Sequence, residues 1–300
     1  TSQLKAEGWS DHQIAHAVDE GQLVRVARSM FRWSGDLDDR DAHVVRVHAL
    51  VRRLRCEVVV SHASAAVLHG LSVAEDNPAE VSLTVAPPAR VRRRAGYHLR
   101  VAKLAEDDVE VLDGVHVTSL ARTAADLART APFAWAVVAA DQALARGVRR
   151  EELDALAEAH PRMAGTPALR SVAAFADGAS GSVAESISRV TIRRAGLPAP
   201  ELQREVIGPE GWVGTTDFAW EDYGVIGEMD GEAKYRDRLE RLRQAPEKVF
   251  AAERVRDDLI RRAGWWPCHW GWKLAWDVVG LGAKLREEFD HAASFRKRSA

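Results

Sequence analysis

The alternation of hydrophobic and polar positions divides the chain into three regions. Over residues 1–35 it predicts two helices followed by a short hairpin. Ser10 and Gln13 form a capping box that opens the second helix, on which Ile14 and Val18 lie about one turn apart. The stretch LVRVARSMFRW then alternates as two paired strands do. We therefore expect a small helical unit with a hairpin at the front of the chain.

The second region mixes helical and strand patterns. Residues 36–165 contain helical segments such as ASAAVLHGL and SLARTAADLART, and strand-like runs such as EVSLTV and YHLRVAKL. No glycine spacing typical of nucleotide binding occurs among them. The region is expected to be an α+β domain. The stretch MAGTPALRSVAAFADGASG, rich in small residues, is the expected boundary after it.

The third region has the order helix, three strands, helix, strand. Residues 180–275 begin with the helical segment SVAESISRVTIRRAG and continue with the strand-like runs LQREVIG, WVGTTDFAW and GVIGEMDG. Pro246 opens a helix that extends to about Ala263, and WWPCHW predicts a fourth strand. Residues 276–300 are expected to form a terminal helix with a basic tail. The whole chain is expected to be a multidomain α+β protein.

Composition narrows the class of protein. The 300 residues are 46% hydrophobic and 29% charged, as in globular domains, and the formal net charge is −2. Any surface that binds nucleic acid must therefore be local. Two cysteines cannot build a disulfide framework, and no long apolar run or signal peptide occurs, so we expect a cytoplasmic protein without a membrane segment. The chain starts without methionine, and we expect further residues upstream of Thr1.

Three carboxylates are expected to meet on the hairpin of the third region. If EDYG is the turn, Asp217 lies opposite Glu228, and Asp230 shares the face of Glu228. Such a patch suits Mg²⁺ or Mn²⁺, which could polarise a phosphate and activate water. Lys234 follows the strand and could stabilise developing negative charge. The alternative is a solvated acidic sheet face, which the apolar neighbours of these residues argue against.

Glu185 has two interpretations that the sequence leaves open. With Ser182 it forms a capping box at the start of a helix, and Arg189 lies one turn later as a natural partner. A structural role explains this pattern completely. In the other interpretation, the same carboxylate faces the sheet and completes the metal site.

The acids of the third region resemble the core of PD-(D/E)XK nucleases, particularly the very-short-patch-repair-like branch. They are Glu185, the acid in VGTTDFAW and the acids in VIGEMDGEAKY. The resemblance covers about residues 180–275. It implies a restriction-endonuclease-like α/β core with a mixed sheet and a metal-dependent DNA endonuclease. The chain departs from the family pattern at Asp230, which stands where that family has lysine. The resemblance implies the following roles: metal ligands Asp217, Glu228 and Asp230; further catalytic residues Glu185 and Lys234; DNA contacts Gln203, Arg254 and Arg256.

The front of the chain resembles the AbiEi antitoxin family of type IV toxin–antitoxin systems. The residues that carry this resemblance are the segment 1–33 and the motifs SHASAAVLHGL and DGVHVTSLARTAADLA. It implies a winged helix-turn-helix over 1–35, an AbiEi-like α+β domain over 36–165, repression of the protein's own operon, and a cognate toxin as partner. The expected DNA contacts are His12, Gln13 and His16 on the second helix, with Arg25 and Arg28 on the wing.

Two hypotheses about function follow. In the first, the protein is a metal-dependent DNA endonuclease that acts through Asp217 and Glu228. In the second, it is a catalytically inactive AbiEi-like antitoxin or transcriptional repressor that uses the nuclease fold to bind DNA or a partner. A dense basic run around Arg93, with Arg100 nearby, could bind phosphate or be a solvated loop.

Overall fold

The computed structural model describes residues 2–27, 30–35, 38–54, 56–75, 78–90, 92–94, 96–230 and 246–299. Its contacts group into two compact units. The first unit comprises Thr1–Ala139 and Val148–Ala174, and the second comprises Ala140–Gly147 and Phe175–Ala300. The α+β class expected from the sequence is confirmed. The finer division into segments 1–35, 36–165, 180–275 and 276–300 stays a prediction.

The first unit begins with the expected helices and hairpin. They are α1 (Ser2–Ala6), α2 (Asp11–Asp19), β1 (Leu23–Ala27) and β2 (Met30–Trp33). The capping box forms, because the Gln13 amide donates to Ser10 Oγ at 3.2 Å and the Ser10 amide donates to Gln13 Oε1 at 2.8 Å. Ile14, Ala17 and Leu23 are buried together. The apolar stripe of α2 therefore packs on the hairpin, and its polar stripe stays exposed.

A six-stranded mixed sheet forms the centre of the first unit, in the strand order β5-β6-β4-β3-β8-β7. Its strands are β3 (Val59–Val60), β4 (Val81–Val85), β5 (Arg92–Arg94), β6 (Tyr97–Val101), β7 (Val109–Leu112) and β8 (Val115–Thr118). Apolar residues from β4, β6 and β8 form one core with residues of α3 (Asp39–Arg53). The basic run that the sequence suggested as a loop is therefore, in part, an edge strand.

The remaining α-helices of the first unit are α4 (His62–Leu68), α5 (Leu120–Thr130), α6 (Phe133–Ala145, divided between the units), α7 (Arg150–Ala159) and α8 (Thr166–Phe175, ending in the second unit).

Helix α5 contributes three residues to a buried ionic network, and Asp108, just before β7, contributes the fourth. Arg122 is 2% exposed and binds Asp108 and Asp126 at 2.8 and 3.1 Å. Arg129 binds the same oxygen of Asp126 at 3.0 Å. Removing one member of such a network leaves a buried charge without a partner and lowers the free energy of unfolding by about 3–5 kcal/mol.

Helix α8 corrects one expectation about local structure. The sequence suggested an irregular boundary there, because the stretch is rich in alanine, glycine and serine. The structure has a helix instead, with Pro167 in its first turn, where a missing N–H costs nothing. Leu169 and Val172 are buried on one side of it, so tertiary packing decides the conformation.

The second unit has a four-stranded mixed sheet in the order β12-β11-β10-β9. Its elements are α9 (Val183–Arg194), β9 (Glu201–Gly208), β10 (Gly211–Trp220), β11 (Val225–Asp230), α10 (Pro246–Arg262), β12 (Trp266–Gly271), α11 (Trp272–Ala275) and α12 (Val278–Ser299). Strands β9, β10 and β11 pair antiparallel, and β11 pairs parallel with β12. The predicted order of elements is therefore observed in the described part of this region. No described helix is long and apolar enough to cross a membrane.

Stacked aromatic side chains and one buried ion pair hold the second unit together. Phe218 and Trp270, from β10 and β12, stack with ring centroids 5.2 Å apart, and both are almost completely buried. Arg189 on α9 donates to Asp141 at 2.8 Å. Asp141 also accepts from the Asp177 amide at 2.7 Å. These contacts explain why residues 140–147 group with the second unit.

Candidate acidic site on the second sheet

Four polar residues lie in one row across the second sheet. Phe218 pairs with Gly227 on one side and with Leu202 on the other. The next position along β10 is Asp217, which therefore lies between Gln203 on β9 and Glu228 on β11. Glu228 in turn pairs with His269 on β12. The hairpin register expected from the EDYG turn is thus the observed one.

Asp217 ties the two central strands together through its carboxylate. The amide of Met229 donates to Asp217 Oδ2 at 2.9 Å. Met229 is buried and lies between Glu228 and Asp230 on β11. The hydrogen bond therefore also holds these two acids close to Asp217. The carboxylate therefore has a structural partner in addition to any ligand that it could bind.

Glu228 is a largely buried carboxylate of the row, with a side chain 14% exposed. Burial raises its pKa, and the carboxylates of Asp217 and Asp230 act in the same direction, whereas Arg256 opposes the shift. The Arg256 guanidinium reaches it from α10, with Nη1 donating to Oε2 at 3.1 Å. Nη2 lies 2.8 Å from Oε1, but it donates to the carbonyl of Thr215. Oε1 is buried, and no group among the residues that the structure describes donates a hydrogen bond to it.

A histidine that sequence reasoning missed lies at the end of the row. His269 Nε2 lies 3.0 Å from Asp257 Oδ1, and Nδ1 lies 3.5 Å from Asp230 Oδ1. Hydrogen bonds to Asp230 and Asp257 raise the pKa of His269 to about 10, although burial opposes them. His269 is therefore an imidazolium at neutral pH. The parallel pairing of β12 with β11, which was not part of the sequence prediction, is the signal that would have placed it beside Glu228.

Glu185 lies on α9 and is 1% exposed. Its Oε1 accepts from Ser182 Oγ at 2.8 Å, and its Oε2 accepts from the Gly181 amide at 2.8 Å and from Gln203 Nε2 at 3.1 Å. Ser182 Oγ caps the helix by accepting from the Glu185 amide at 3.2 Å, but the Glu185 carboxylate accepts from the Gly181 amide, so only half of the predicted capping box forms. The carboxylate also faces the sheet through Gln203. Gln203 has φ +51°, a left-handed backbone that is uncommon for a residue with a side chain.

The predicted DNA-contacting residues fall into different environments. Arg254 is exposed on α10, whereas Arg256 is engaged with Glu228 and Gln203 with Glu185. In the first unit, His12, Gln13 and His16 are exposed on one side of α2. Arg25 is exposed on β1, and its guanidinium lies over the Phe31 ring at 5.4 Å. Lys234 and Arg28 lie outside the described residues.

The described acids offer an incomplete fit to a divalent cation. Within the described ranges, no group of three or more His, Cys, Asp or Glu side chains is arranged to hold a metal ion. The buried Oε1 of Glu228, to which no described group donates a hydrogen bond, is the atom best suited to a cation, with Asp217 beside it. Arg256 already places positive charge at this position. The expected roles of Asp217, Glu228, Asp230, Glu185 and Lys234, and the expectation of magnesium, therefore stay predictions.

Comparison with known proteins finds a similarity to one protein family over part of the chain. Residues 57–171 match the AbiEi antitoxin C-terminal domain. This match confirms the AbiEi-like part of the resemblance and supports a role in a toxin–antitoxin system with DNA binding. The predicted winged helix and nuclease-like region lie outside the matched residues.

Two relatives come from Mycobacterium tuberculosis. They are the uncharacterized protein Rv2248 of strain H37Rv and the uncharacterized protein MT2308 of strain CDC 1551. Each is 31% identical over 221 residues, which cover 73% of this chain and 77% of the relative. The chain belongs to the family of these mycobacterial proteins, and its residues 57–171 match the AbiEi antitoxin C-terminal domain.

The His269 contacts predict a pH-dependent contribution to stability. Because the folded-state pKa of about 10 lies above the ordinary 6.5, the stabilisation is complete below about pH 6 and is lost as the pH rises through 10. His269→Gln should lower the free energy of unfolding by about 1–2 kcal/mol at pH 6, and the loss should shrink toward pH 10. Chemical denaturation at several pH values measures it. The exposed His291→Gln is the control, and equal effects of both variants at all pH values would contradict the assignment.

Proposed function

We propose that the protein is a DNA-binding regulator of the toxin–antitoxin class, an AbiEi-type antitoxin that represses its own operon. The observation that carries this proposal is the match of residues 57–171 to the AbiEi antitoxin C-terminal domain. A cognate toxin protein is the partner that such an antitoxin requires. DNA binding is assigned to residues 1–35, which we propose form a winged helix-turn-helix.

The chemistry of the exposed residues on α2 and β1 supports this assignment. His12 and His16 present polar ring edges to solvent, and Gln13 uses its carbonyl oxygen in the helix cap, so its amide NH₂ group remains as a donor. Such groups can hydrogen-bond to base edges in the major groove. Arg25 supplies a cation on the hairpin, where a wing contacts phosphates.

The test is binding to the DNA upstream of the protein's own operon. Arg25→Gln should weaken binding by roughly threefold to tenfold and reduce the slope of log K against log salt by about one, because one phosphate contact is lost. Mobility-shift titrations at several salt concentrations measure both quantities. Arg170→Gln removes the same charge from an exposed position on α8 and should leave both unchanged. Absence of binding by the unaltered protein at low salt would rule out the proposal.

A second candidate function is metal-dependent hydrolysis of a DNA phosphodiester by the second unit. The row Gln203, Asp217 and Glu228, with Glu185 contacting Gln203, is the specific observation that favours it. A nuclease-like core of the PD-(D/E)XK type is proposed for this unit on that basis. In this proposal Asp217 and Glu228 hold Mg²⁺ or Mn²⁺, which would polarise the phosphate and lower the pKa of a bound water.

The chain's own residues would divide the remaining tasks. Asp217 keeps its position through the Met229 amide, and Glu185 holds the amide group of Gln203 by a hydrogen bond. Asp230 is paired with His269, so its negative charge is already compensated. Arg256 would have to release Glu228 and could then stabilise the charge that develops on the phosphate. Lys234 is assigned to the same task.

Plasmid cleavage separates the two candidates. If the second candidate function is correct, the protein nicks supercoiled DNA in the presence of Mg²⁺ or Mn²⁺. Asp217→Asn, which keeps the shape of the side chain, should then reduce the cleavage rate at least about 100-fold. Glu221→Gln changes an exposed acid at the turn and should cleave like the unaltered protein. Gel electrophoresis of the products measures the rates. No cleavage by any of the three proteins would remove the endonuclease candidate and leave the regulator.

A further inference from the structure

We infer that the first unit carries a second binding site, for a phosphate group, on the polar side of its sheet between His62 and Arg100. The site belongs to the AbiEi domain but is independent of the proposed DNA contacts on α2 and β1. Four observations support it: the sheet register, the hydrogen bonds of His62, the balance of charge, and the position of Arg100.

The register of β4 and β6 sorts polar and apolar residues onto opposite faces. Ser82 pairs with His98 and Thr84 with Arg100, while the alternate residues of both strands enter the apolar core. Ser82 and Thr84 are only 8% and 1% exposed. The polar face of these strands is therefore covered in part, unlike an ordinary solvated sheet face.

Hydrogen bonds between two hydroxyl groups determine which ring nitrogen of His62 carries the proton. Thr84 Oγ1 donates to Ser61 Oγ at 2.8 Å, so the Ser61 hydroxyl is left to donate to His62 Nδ1, which lies 3.0 Å away. His62 is neutral at pH 7, because burial, opposed in part by Asp126, lowers its pKa to about 4. A neutral ring that accepts at Nδ1 carries its proton on Nε2. That N–H is then a donor available to a ligand.

The backbone of His62 supports a positioned ring. Its φ of +54° is left-handed, a conformation that strained residues at binding sites often adopt. The ring lies with Nδ1 3.9 Å from Asp126 Oδ2, and its side chain is 12% exposed. The imidazole is therefore held at the edge of the buried ionic network, with one side near solvent.

Arg100 adds a further positive charge beside the buried network, where Asp126 attracts it without forming an ion pair. Arg122 and Arg129 share the carboxylates of Asp108 and Asp126, as described above. Arg100 is half-buried and donates to Ser82 Oγ at 3.3 Å. No carboxylate among the described residues lies within ion-pair distance of its guanidinium. Arg93, on the neighbouring strand, is already paired with Glu80 at 2.9 Å.

These groups together suit a tetrahedral oxyanion. A guanidinium offers parallel N–H donors in a rigid fork that matches phosphate oxygens, and the His62 N–H and the hydroxyl of Ser82 add neutral donors. A half-buried guanidinium without an acidic partner gains more from such a ligand than an exposed one does. The ligand is free inorganic phosphate or the terminal phosphate of a nucleoside monophosphate.

Calorimetric titration of the full chain with inorganic phosphate at constant ionic strength tests the site. The unaltered protein should show saturable binding, and Arg100→Gln should weaken it at least about tenfold. Arg94→Gln removes the same charge from the exposed neighbour of Arg93 and should stay within about twofold of the unaltered protein. Arg100→Lys, which keeps the charge and loses the fork, should give an intermediate affinity. It serves as the second variant if Arg100→Gln does not fold.

Two further probes identify the ligand class. Adenosine monophosphate that binds about tenfold more tightly than phosphate would identify a nucleotide as the source, and equal affinities would identify free phosphate. The inference is overturned if phosphate shows no saturable binding, if acetate binds equally well, or if Arg94→Gln and Arg100→Gln weaken binding to the same extent.

Discussion

The sheet register of the second unit brings negative side chains together, and the stability of this unit depends on cations that compensate them. Antiparallel pairing places Asp217 beside Glu228, and neighbouring like charges on a sheet destabilise it. The compensating cations come from later elements: Arg256 from α10 and His269 from β12. Once α10 and β12 pack on the hairpin, the acids have partners. The stability of the row thus depends on both later elements.

Buried charges are compensated differently in the two units, and the difference indicates what kind of ligand each unit could bind. In the second unit both carboxylates of the row have a hydrogen-bond donor or a cationic partner, and Arg256 lies 2.8 Å from the Glu228 oxygen to which no described group donates a hydrogen bond. A ligand there has to compete with a protein cation. In the first unit the buried carboxylates are shared by Arg122 and Arg129, and Arg100 has no acidic partner among the described residues. An anion there would complete the balance of charge.

Local patterns predicted much of the fold, and distant pairings did not follow from them. The capping box at Ser10, the N-cap at Ser182, the turn at EDYG and the helix after Pro246 depend on neighbouring residues, and each is observed. The partner of Glu228 could not be predicted, because it is Arg256, which lies 28 residues later in the chain on α10. His269 was missed for the same reason, since a parallel strand partner has no local signature. The strand at Arg92–Arg94 depends on pairing with β6 rather than on its own composition.

A double-mutant cycle between Glu228 and Arg256 tests the central claim most directly. Free energies of unfolding are compared for the unaltered protein, Glu228→Gln, Arg256→Gln and the double variant. If Arg256 compensates the buried acid, the coupling energy should be about 1–3 kcal/mol, and the double variant should be less destabilised than the two single effects predict together. Additive effects, with a coupling below about 0.3 kcal/mol, would contradict the account.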